Sequence, residues 1–369
     1  MVKLKMSMLP LKKTFSAVKI SNQLLLLKMN INPLKAPENE ASIMKHWKYT
    51  DKIYVSCVCI TFNQEGYIRD AINGMLAQVT DYRFEVIIHD DVSNDNTRKI
   101  LLEYKNKYPN IIKLVLQTEN QYQKGKKITP LAVAEAIGEY IALCEGDDYW
   151  IDINKIQKQV KCLEENKDIN ICFTSAQKLT HKNDLEEYAK HNVAKTIYST
   201  SNVIRGGGEF MPTASIMVKK TIINTLPEWY HIAPVGDYFL QIYSSLPNGA
   251  LYLPQCTACY RINSIGSWTA QRKKINLNKI ENEASLYKAI FNTLSNLNID
   301  SSDIKYAISK QLYILSIVLI KNKEYSHARK LIIESWDYYK GINSKHTILF
   351  YMRNLLPLFR LLLKLLNKK

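Results

Sequence analysis

The stretch Tyr140-Ile141-Ala142-Leu143-Cys144-Glu145-Gly146-Asp147-Asp148-Tyr149-Trp150 joins a short apolar run to two adjacent carboxylates. Five apolar residues ended by an acid and a glycine predict a buried strand entering a turn. In an open α/β sheet, ligands bind beyond the carboxyl ends of the strands. Two neighbouring acids repel each other and are relieved by a divalent cation held between them and a phosphate. The stretch therefore predicts an anionic turn built for a metal and a diphosphate.

Upstream, the same grammar repeats. Ile53–Phe62 is a nearly continuous apolar run, as in a strand buried on both faces. Ile68, Ala71, Ile72, Met75, Leu76 and Val79 follow at helical spacing. Phe84–His89 predicts a second strand, running into Asp90-Asp91-Val92-Ser93-Asn94-Asp95-Asn96-Thr97, where Ser93 or Asn94 can cap the next helix. Ile111–Leu116 predicts a third strand, and a short helix is expected over residues 130–136. Strand and helix alternate four times, which predicts an α/β fold with a doubly wound, mostly parallel sheet. Further strands are expected at Ile171–Ser175 and Ser215–Val218, bracketing a polar, mobile stretch from Lys178 to Glu209. A helix is expected from Asp237 to Ser245, and a helical pair from Ser302 to Tyr339.

The chain has 369 residues, 46% of them apolar, and a formal charge of +16. Residues 1–35 hold seven lysines and no acid, and residues 340–369 hold seven Lys or Arg and no acid. Those ends supply 14 of the +16, leaving about +2 for residues 36–339. A near-neutral body excludes a nucleic-acid binder of the basic-groove kind. Basic ends suit an anionic membrane surface. The expected division is a flexible basic arm over 1–50, a catalytic domain over 51–275, a helical hairpin over 276–340 and a basic amphipathic helix over 341–369. Within that last helix, Arg353, Arg360, Lys364 and Lys368 fall within about 80° of one another, a basic stripe on an apolar helix. Docking on the preceding hairpin is the other reading of this helix. The seven cysteines are odd in number and lie in apolar runs, as expected of reduced, buried thiols. Cys256-x-x-Cys259 has no second pair to complete a zinc site and reads as two residues of one strand. No signal peptide and no transmembrane span is evident, so a cytoplasmic location is expected.

Three of these segments together resemble the landmark motifs of the family 2 glycosyltransferases: Val58–Asn63 (VCITFN), Asp90–Thr97 (DDVSNDNT) and Glu145–Trp150 (EGDDYW). The resemblance extends to Glu119-Asn120-Gln121 with Lys124-Gly125, to Pro212-Thr213-Ala214-Ser215, to Gly236-Asp237-Tyr238, and to Tyr260-Arg261 with Gly266 and Trp268. It covers about residues 53–270. It implies the type-A glycosyltransferase fold and inverting transfer of a hexosyl or N-acetylhexosaminyl group from a nucleotide sugar, a UDP-sugar above all.

Carried over residue by residue, the resemblance implies these roles. Thr61, Phe62 and Asn63 line the nucleotide pocket, and Asp91 contacts the base or ribose. Asp148, with Asp147, faces Mg²⁺ or Mn²⁺ and the donor diphosphate, and Arg261 neutralises that diphosphate. Asp237 is the catalytic base, while Thr213, Ser215 and Trp268 lie on the acceptor side. The implied acceptor is a growing surface glycan or a lipid-linked oligosaccharide, at the inner face of the cytoplasmic membrane. Relatives often carry His where this chain has Asn263, a weak metal ligand. Two other readings of the acidic turns remain: a non-catalytic module that binds nucleotide sugar or glycan, and a metal-dependent nucleotidyltransferase.

Overall fold

The computed structural model describes residues 32–180, 184–262, 264 and 276–366. The described architecture lies in the unit Pro33–Lys369.

The unit begins before its first strand. Helix α1 (Glu40–Met44) is capped by the Asn39 side chain. Its Glu40 accepts from the backbone N–H groups of Asn110 and Ile111. Ile43 is fully buried, Trp47 meets the Phe84 ring edge-on at 5.6 Å, and the Tyr108 hydroxyl donates to the Pro37 carbonyl. The expectation of a flexible arm reaching residue 50 is thereby corrected for residues 33–50. Their apolar anchors are too few and too unevenly spaced to register as periodicity.

Strands β1 (Val55–Thr61), β2 (Phe84–Asp90), β3 (Ile112–Leu116) and β4 (Tyr140–Glu145) alternate with helices α2 (Ile68–Leu76), α3 (Thr97–Lys107) and α4 (Ile128–Val133). The strands run parallel in the order β3-β2-β1-β4. Alternate residues feed opposite faces. Cys57, Cys59, Val86 and Ile88 pack with α2 and α3, while Val58 and Ile87 pack with α4. The register pairs Thr61 with Asp90 and Ile60 with Glu145. All three acidic or polar landmark turns therefore leave the sheet along one edge.

Beyond β4 come β5 (Tyr149–Trp150), α5 (Lys155–Glu165), β6 (Ile171–Leu179), β7 (Leu185–Tyr188), β8 (Thr196–Tyr198) and α6 (Thr200–Gly206). A 3₁₀ turn (Thr213–Ser215) then leads to β9 (Met217–Lys219), α7 (Lys220–Asn224), α8 (Glu228–Ile232), α9 (Gly236–Ser244) and β10 (Ala250–Arg261). The sheet continues β4-β9-β6-β10-β5, with β9 antiparallel to both β4 and β6. The result is mixed but mostly parallel. The stretch expected to be mobile, 178–209, instead carries β7, β8 and α6, apart from residues 181–183, which lie outside the described residues. Aromatic residues from this stretch and from its flanks meet only in space: His191 stacks on Phe210 at 4.2 Å and meets Phe173, Tyr198 and Tyr252. Cys256 and Cys259 both lie in β10, and the seven cysteines are free thiols.

The C-terminal helices are α10 (Leu277–Leu294), α11 (Ser301–Lys321), α12 (Tyr325–Tyr338), α13 (Ser344–Tyr351) and α14 (Leu356–Leu366). They share one apolar core with the sheet: Phe291 of α10 packs on Phe239 of α9 at 5.2 Å. Lys310 of α11 donates to the carbonyls of Arg205 and Gly206, the last turn of α6, where a cation is favoured. The single helix expected over 341–369 is two helices, with Pro357 in the first turn of the second, where proline is tolerated. Arg353 lies in the turn between them. Arg360 donates to the Lys321 carbonyl at 3.1 Å, with Leu356 and Phe359 buried. The basic stripe is therefore not continuous on one helix. The side chains of Lys364 and Lys368 lie outside the described residues.

Candidate active site

Two loops at the sheet edge are fastened to each other. Asn63 has φ +54, in the left-handed region that asparagine tolerates. Its N–H donates to Ser93 Oγ at 2.9 Å, and its Oδ1 accepts from Asn94 N–H at 2.7 Å. Gln64 N–H donates to Thr97 Oγ1 at 2.8 Å, and Asn96 N–H donates to Glu65 at 2.9 Å. Thr61 is buried and donates to Gln64 Oε1, while Phe62 is half-buried between them. The expected pocket residues thus belong to one cross-bonded rim.

The two acids of the second turn have different partners. Asp90 is fully buried and pairs with Arg98 at 2.7 Å. Asp91 accepts through Oδ1 from Gln121 N–H at 2.7 Å and through Oδ2 from Tyr122 N–H at 3.0 Å. The Asp91 carboxylate therefore pins the middle of the 117–127 loop. The intervening Val92 has φ +69, a conformation that β-branched residues rarely adopt and that surrounding structure must impose.

The Asp147–Asp148 turn sits one strand over. A Cβ on Gly146 would lie 2.2 Å from Gln64 Oε1 and 2.8 Å from Thr61 Oγ1, so the turn approaches β1 as only glycine permits. Asp147 accepts from the Ser264 hydroxyl. Asp148 is 1% exposed, and its Oδ1 accepts from Arg261 N–H at 2.9 Å. Among the described residues no donor reaches Asp148 Oδ2. A buried, orphaned carboxylate oxygen is costly and calls for a partner. Burial, with the charges of Asp147 and Glu145, raises the Asp148 carboxyl well above its ordinary range, and Arg261 works against that rise. Burial also pushes Glu145 up to about 8, with Asp147 and Asp237 adding to it.

Arg261 holds this turn. One guanidinium nitrogen donates to the Asp147 carbonyl at 2.9 Å and another pairs with Asp70 of α2. The guanidinium carbon lies 4.3 Å from the Tyr149 ring centroid and 5.3 Å from that of Tyr67. These contacts commit the guanidinium within the protein, so its bearing on a diphosphate runs through the turn it fastens.

Asp237 opens α9, and its Oδ1 accepts from Tyr238 N–H at 2.8 Å. It remains exposed although protein crowds around it. That crowding raises its carboxyl, while the Tyr238 N–H and the Lys127 ammonium lower it. Lys127 ends the loop that Asp91 pins and donates to the Ala233 carbonyl, just ahead of α9. Desolvation lowers its ammonium and Asp237 raises it. Asp148, Glu145 and Asp237 thus share one electrostatic neighbourhood, although they come from segments far apart in sequence.

Other expected residues fall elsewhere. Ser215 is fully buried, and its carbonyl accepts from Lys155 Nζ at 3.1 Å and Gln159 Nε2 at 2.9 Å. Its expected acceptor-side contact is corrected to interior packing, because its turn lies against β4 and β10 with α5 bonded to its carbonyl. Thr213 is half-buried at the start of the same turn. Trp268, Gly266 and Asn263 lie outside the described residues. Lys127, Glu145 and Ser264 were not singled out by sequence reasoning. Glu145 was visible as the acid ending β4, but no local signal marks the other two.

Among the described residues no three His, Cys, Asp or Glu side chains converge as a ready-made metal cage. The orphaned Asp148 oxygen beside Asp147 nevertheless fits a hard cation that takes one or two carboxylates and completes its shell with phosphate and water.

The profile of the family described as Glycosyl transferase family 2 matches residues 56–223. An uncharacterized protein of Mycobacterium tuberculosis is 32% identical over 216 residues, covering 58% of this chain and 60% of that protein. The chain thus matches only about three fifths of the length of such relatives. The Escherichia coli UDP-Glc:alpha-D-GlcNAc-diphosphoundecaprenol beta-1,3-glucosyltransferase is 35% identical over 124 residues, covering 33% of this chain and 45% of the enzyme. The crystal structure of a Staphylococcus aureus TarS fragment with UDP-GlcNAc superposes with a TM-score of 0.59 at 15% identity, covering 82% of this chain and 86% of that one. That likeness shows the fold alone.

Proposed function

We propose that this chain, whose residues 56–223 belong to glycosyltransferase family 2 on a type-A glycosyltransferase fold, moves a sugar from a nucleotide-sugar donor to a glycan hydroxyl with inversion. The observation that supports this reading is the buried Asp148 oxygen that no donor reaches among the described residues, beside Glu145, on which the exposed Asp237 also acts. The donor is a UDP-sugar, and the group moved is a hexose or N-acetylhexosamine. The Thr61–Asn63 rim and the loop pinned by Asp91 hold the nucleoside.

An alcohol is a poor nucleophile, so a carboxylate must accept its proton as the glycosidic bond forms. Asp237 is that base: it is accessible, and Lys127 favours its charged form. Asp148, with Asp147, would hold Mg²⁺ or Mn²⁺, which would supply charge neutralisation for the departing diphosphate. Arg261 keeps both aspartates in place through its backbone N–H and its guanidinium.

The acceptor is a surface glycan or lipid-linked oligosaccharide, and the chain works at an anionic membrane face. Among the described residues no helix is long and apolar enough to cross a membrane. Support for a peripheral contact comes from Ile348, Tyr351, Leu355, Leu358 and Leu361, which are 49–71% exposed along α13, α14 and the turn between them. They lie in a segment of seven cations and no acid over residues 340–369. Apolar side chains flanked by cations suit an anionic lipid interface. The test is a nucleotide-sugar panel read by thermal shift with and without Mn²⁺. A UDP-sugar that stabilises the protein only with the cation supports the reading, and indifference to every donor contradicts it.

A further inference from the structure

We infer that Lys178, Tyr188 and Tyr260 form an acceptor subsite for a sugar bearing phosphate near its accepting hydroxyl. The inference rests on Asp237 as the base. Strand register places the three together: Lys178 pairs with Tyr260 across β6 and β10, and Ala176, two residues before Lys178, pairs with Tyr188 across β6 and β7. Residues paired across strands, or two apart along one, share a face. Arg261, one residue beyond Tyr260, points to the opposite face and serves the Asp147–Asp148 turn. The Tyr188 and Tyr260 rings lie 5.8 Å apart at 33°, and Lys178 Nζ lies 4.4 Å from the Tyr188 centroid. All three side chains are half-buried, so solvent still reaches them. The charges of Glu209, Asp237 and Asp148 act on the Tyr188 phenol, which puts this platform beside the candidate catalytic carboxylates.

Each part has a chemical use. Tyrosine rings stack against the C–H faces of a sugar. An ammonium recognises phosphate as a point charge. A phosphate nearing Glu145, Asp148, Glu209 and Asp237 meets a repulsive field unless a cation stands with it. Among the described residues Lys178 has no carboxylate within ion-pair distance, although Glu186 faces it across β7. The phosphate can belong to the diphosphate of a lipid-linked sugar or to a polyol-phosphate chain; the chemistry recognised is the same.

The test compares three acceptors: an alkyl diphosphate-linked N-acetylhexosamine, a polyol-phosphate oligomer and the neutral alkyl glycoside of the same sugar. The full chain should use at least one phosphate acceptor about tenfold better than the neutral one, and which one identifies the source. Lys178→Met, which keeps the stem over the ring, should cut kcat/KM for that acceptor about tenfold. It should leave the neutral glycoside and the donor KM within about twofold. Lys178→Arg should retain the preference. Equal use of all three acceptors by the unaltered chain, or an equal loss on all three in Lys178→Met, overturns the inference. Should the chain transfer to none of them, calorimetry with saturating UDP decides. Binding of a phosphate probe that Lys178→Met abolishes supports the subsite, and no difference between the proteins refutes it. Normal turnover by Asp237→Asn would instead strike at the base assignment beneath.

Discussion

The backbone N–H of Arg261 donates to one carboxylate oxygen of Asp148 at 2.9 Å, and among the described residues no donor reaches the other, which is buried. The first oxygen is fixed by the protein, and the second suits a hard cation. Asp148→Asn removes that carboxylate. It should abolish the extra stabilisation that Mn²⁺ adds in the presence of UDP, while raising the stability of the ligand-free protein. Thermal shifts with and without the cation check both expectations.

Arg261 acts through a fork. Its guanidinium reaches Asp70 and the Asp147 carbonyl while lying over Tyr149. Lysine cannot reproduce that geometry. Arg261→Lys should cost about 1–3 kcal/mol in denaturant unfolding, as expected when a partly buried charged hydrogen-bond network loses a member. It should also lower kcat more than it raises the donor KM.

The carboxyl of Glu145 rises from 4.5 to about 8 on folding, chiefly through burial. A raised acid binds more protons folded than unfolded. Its charge therefore destabilises the ligand-free protein progressively as pH rises from 4.5 to about 8. Glu145→Gln should flatten that decline, gaining about 2–4 °C in Tm near pH 8 and nothing near pH 4. An unchanged pH profile of Tm would contradict this.

Much of this arrangement could be read from the sequence. Strands β1, β2 and β4 announce themselves as apolar runs ending in acidic or polar turns, and parallel pairing then brings those turns to one edge. The strand expected at Ser215–Val218 appears as β9, but its reversed direction could not be read, because three residues carry no signal of orientation. The ring cluster around His191 was equally hidden, since its members are dispersed through polar sequence. Asp237 is a first-turn acid like many others, and only the motif resemblance marked it. Arg261 and Asp70 stand 191 residues apart, and nothing local predicts that they meet.

Lys127 links the two halves of the site. It ends the loop that Asp91 holds by Gln121 and Tyr122, and its charge lowers the Asp237 carboxyl. Lys127→Met should move the acidic limb of the kcat/KM profile to higher pH, because Asp237 then holds its proton longer. Asp91→Ala should speed hydrogen exchange at the Gln121 and Tyr122 amides and raise the donor KM. An acidic limb unmoved in Lys127→Met would remove the lysine from the base's environment.

The most direct measurement is nucleoside-diphosphate release by Asp237→Asn beside donor binding by the same protein. Loss of release by about a thousandfold or more, with the donor-induced thermal shift intact, is the predicted result. Turnover near that of the unaltered chain would contradict the assignment of Asp237 as base, and release of pyrophosphate in place of nucleoside diphosphate would contradict glycosyl transfer itself.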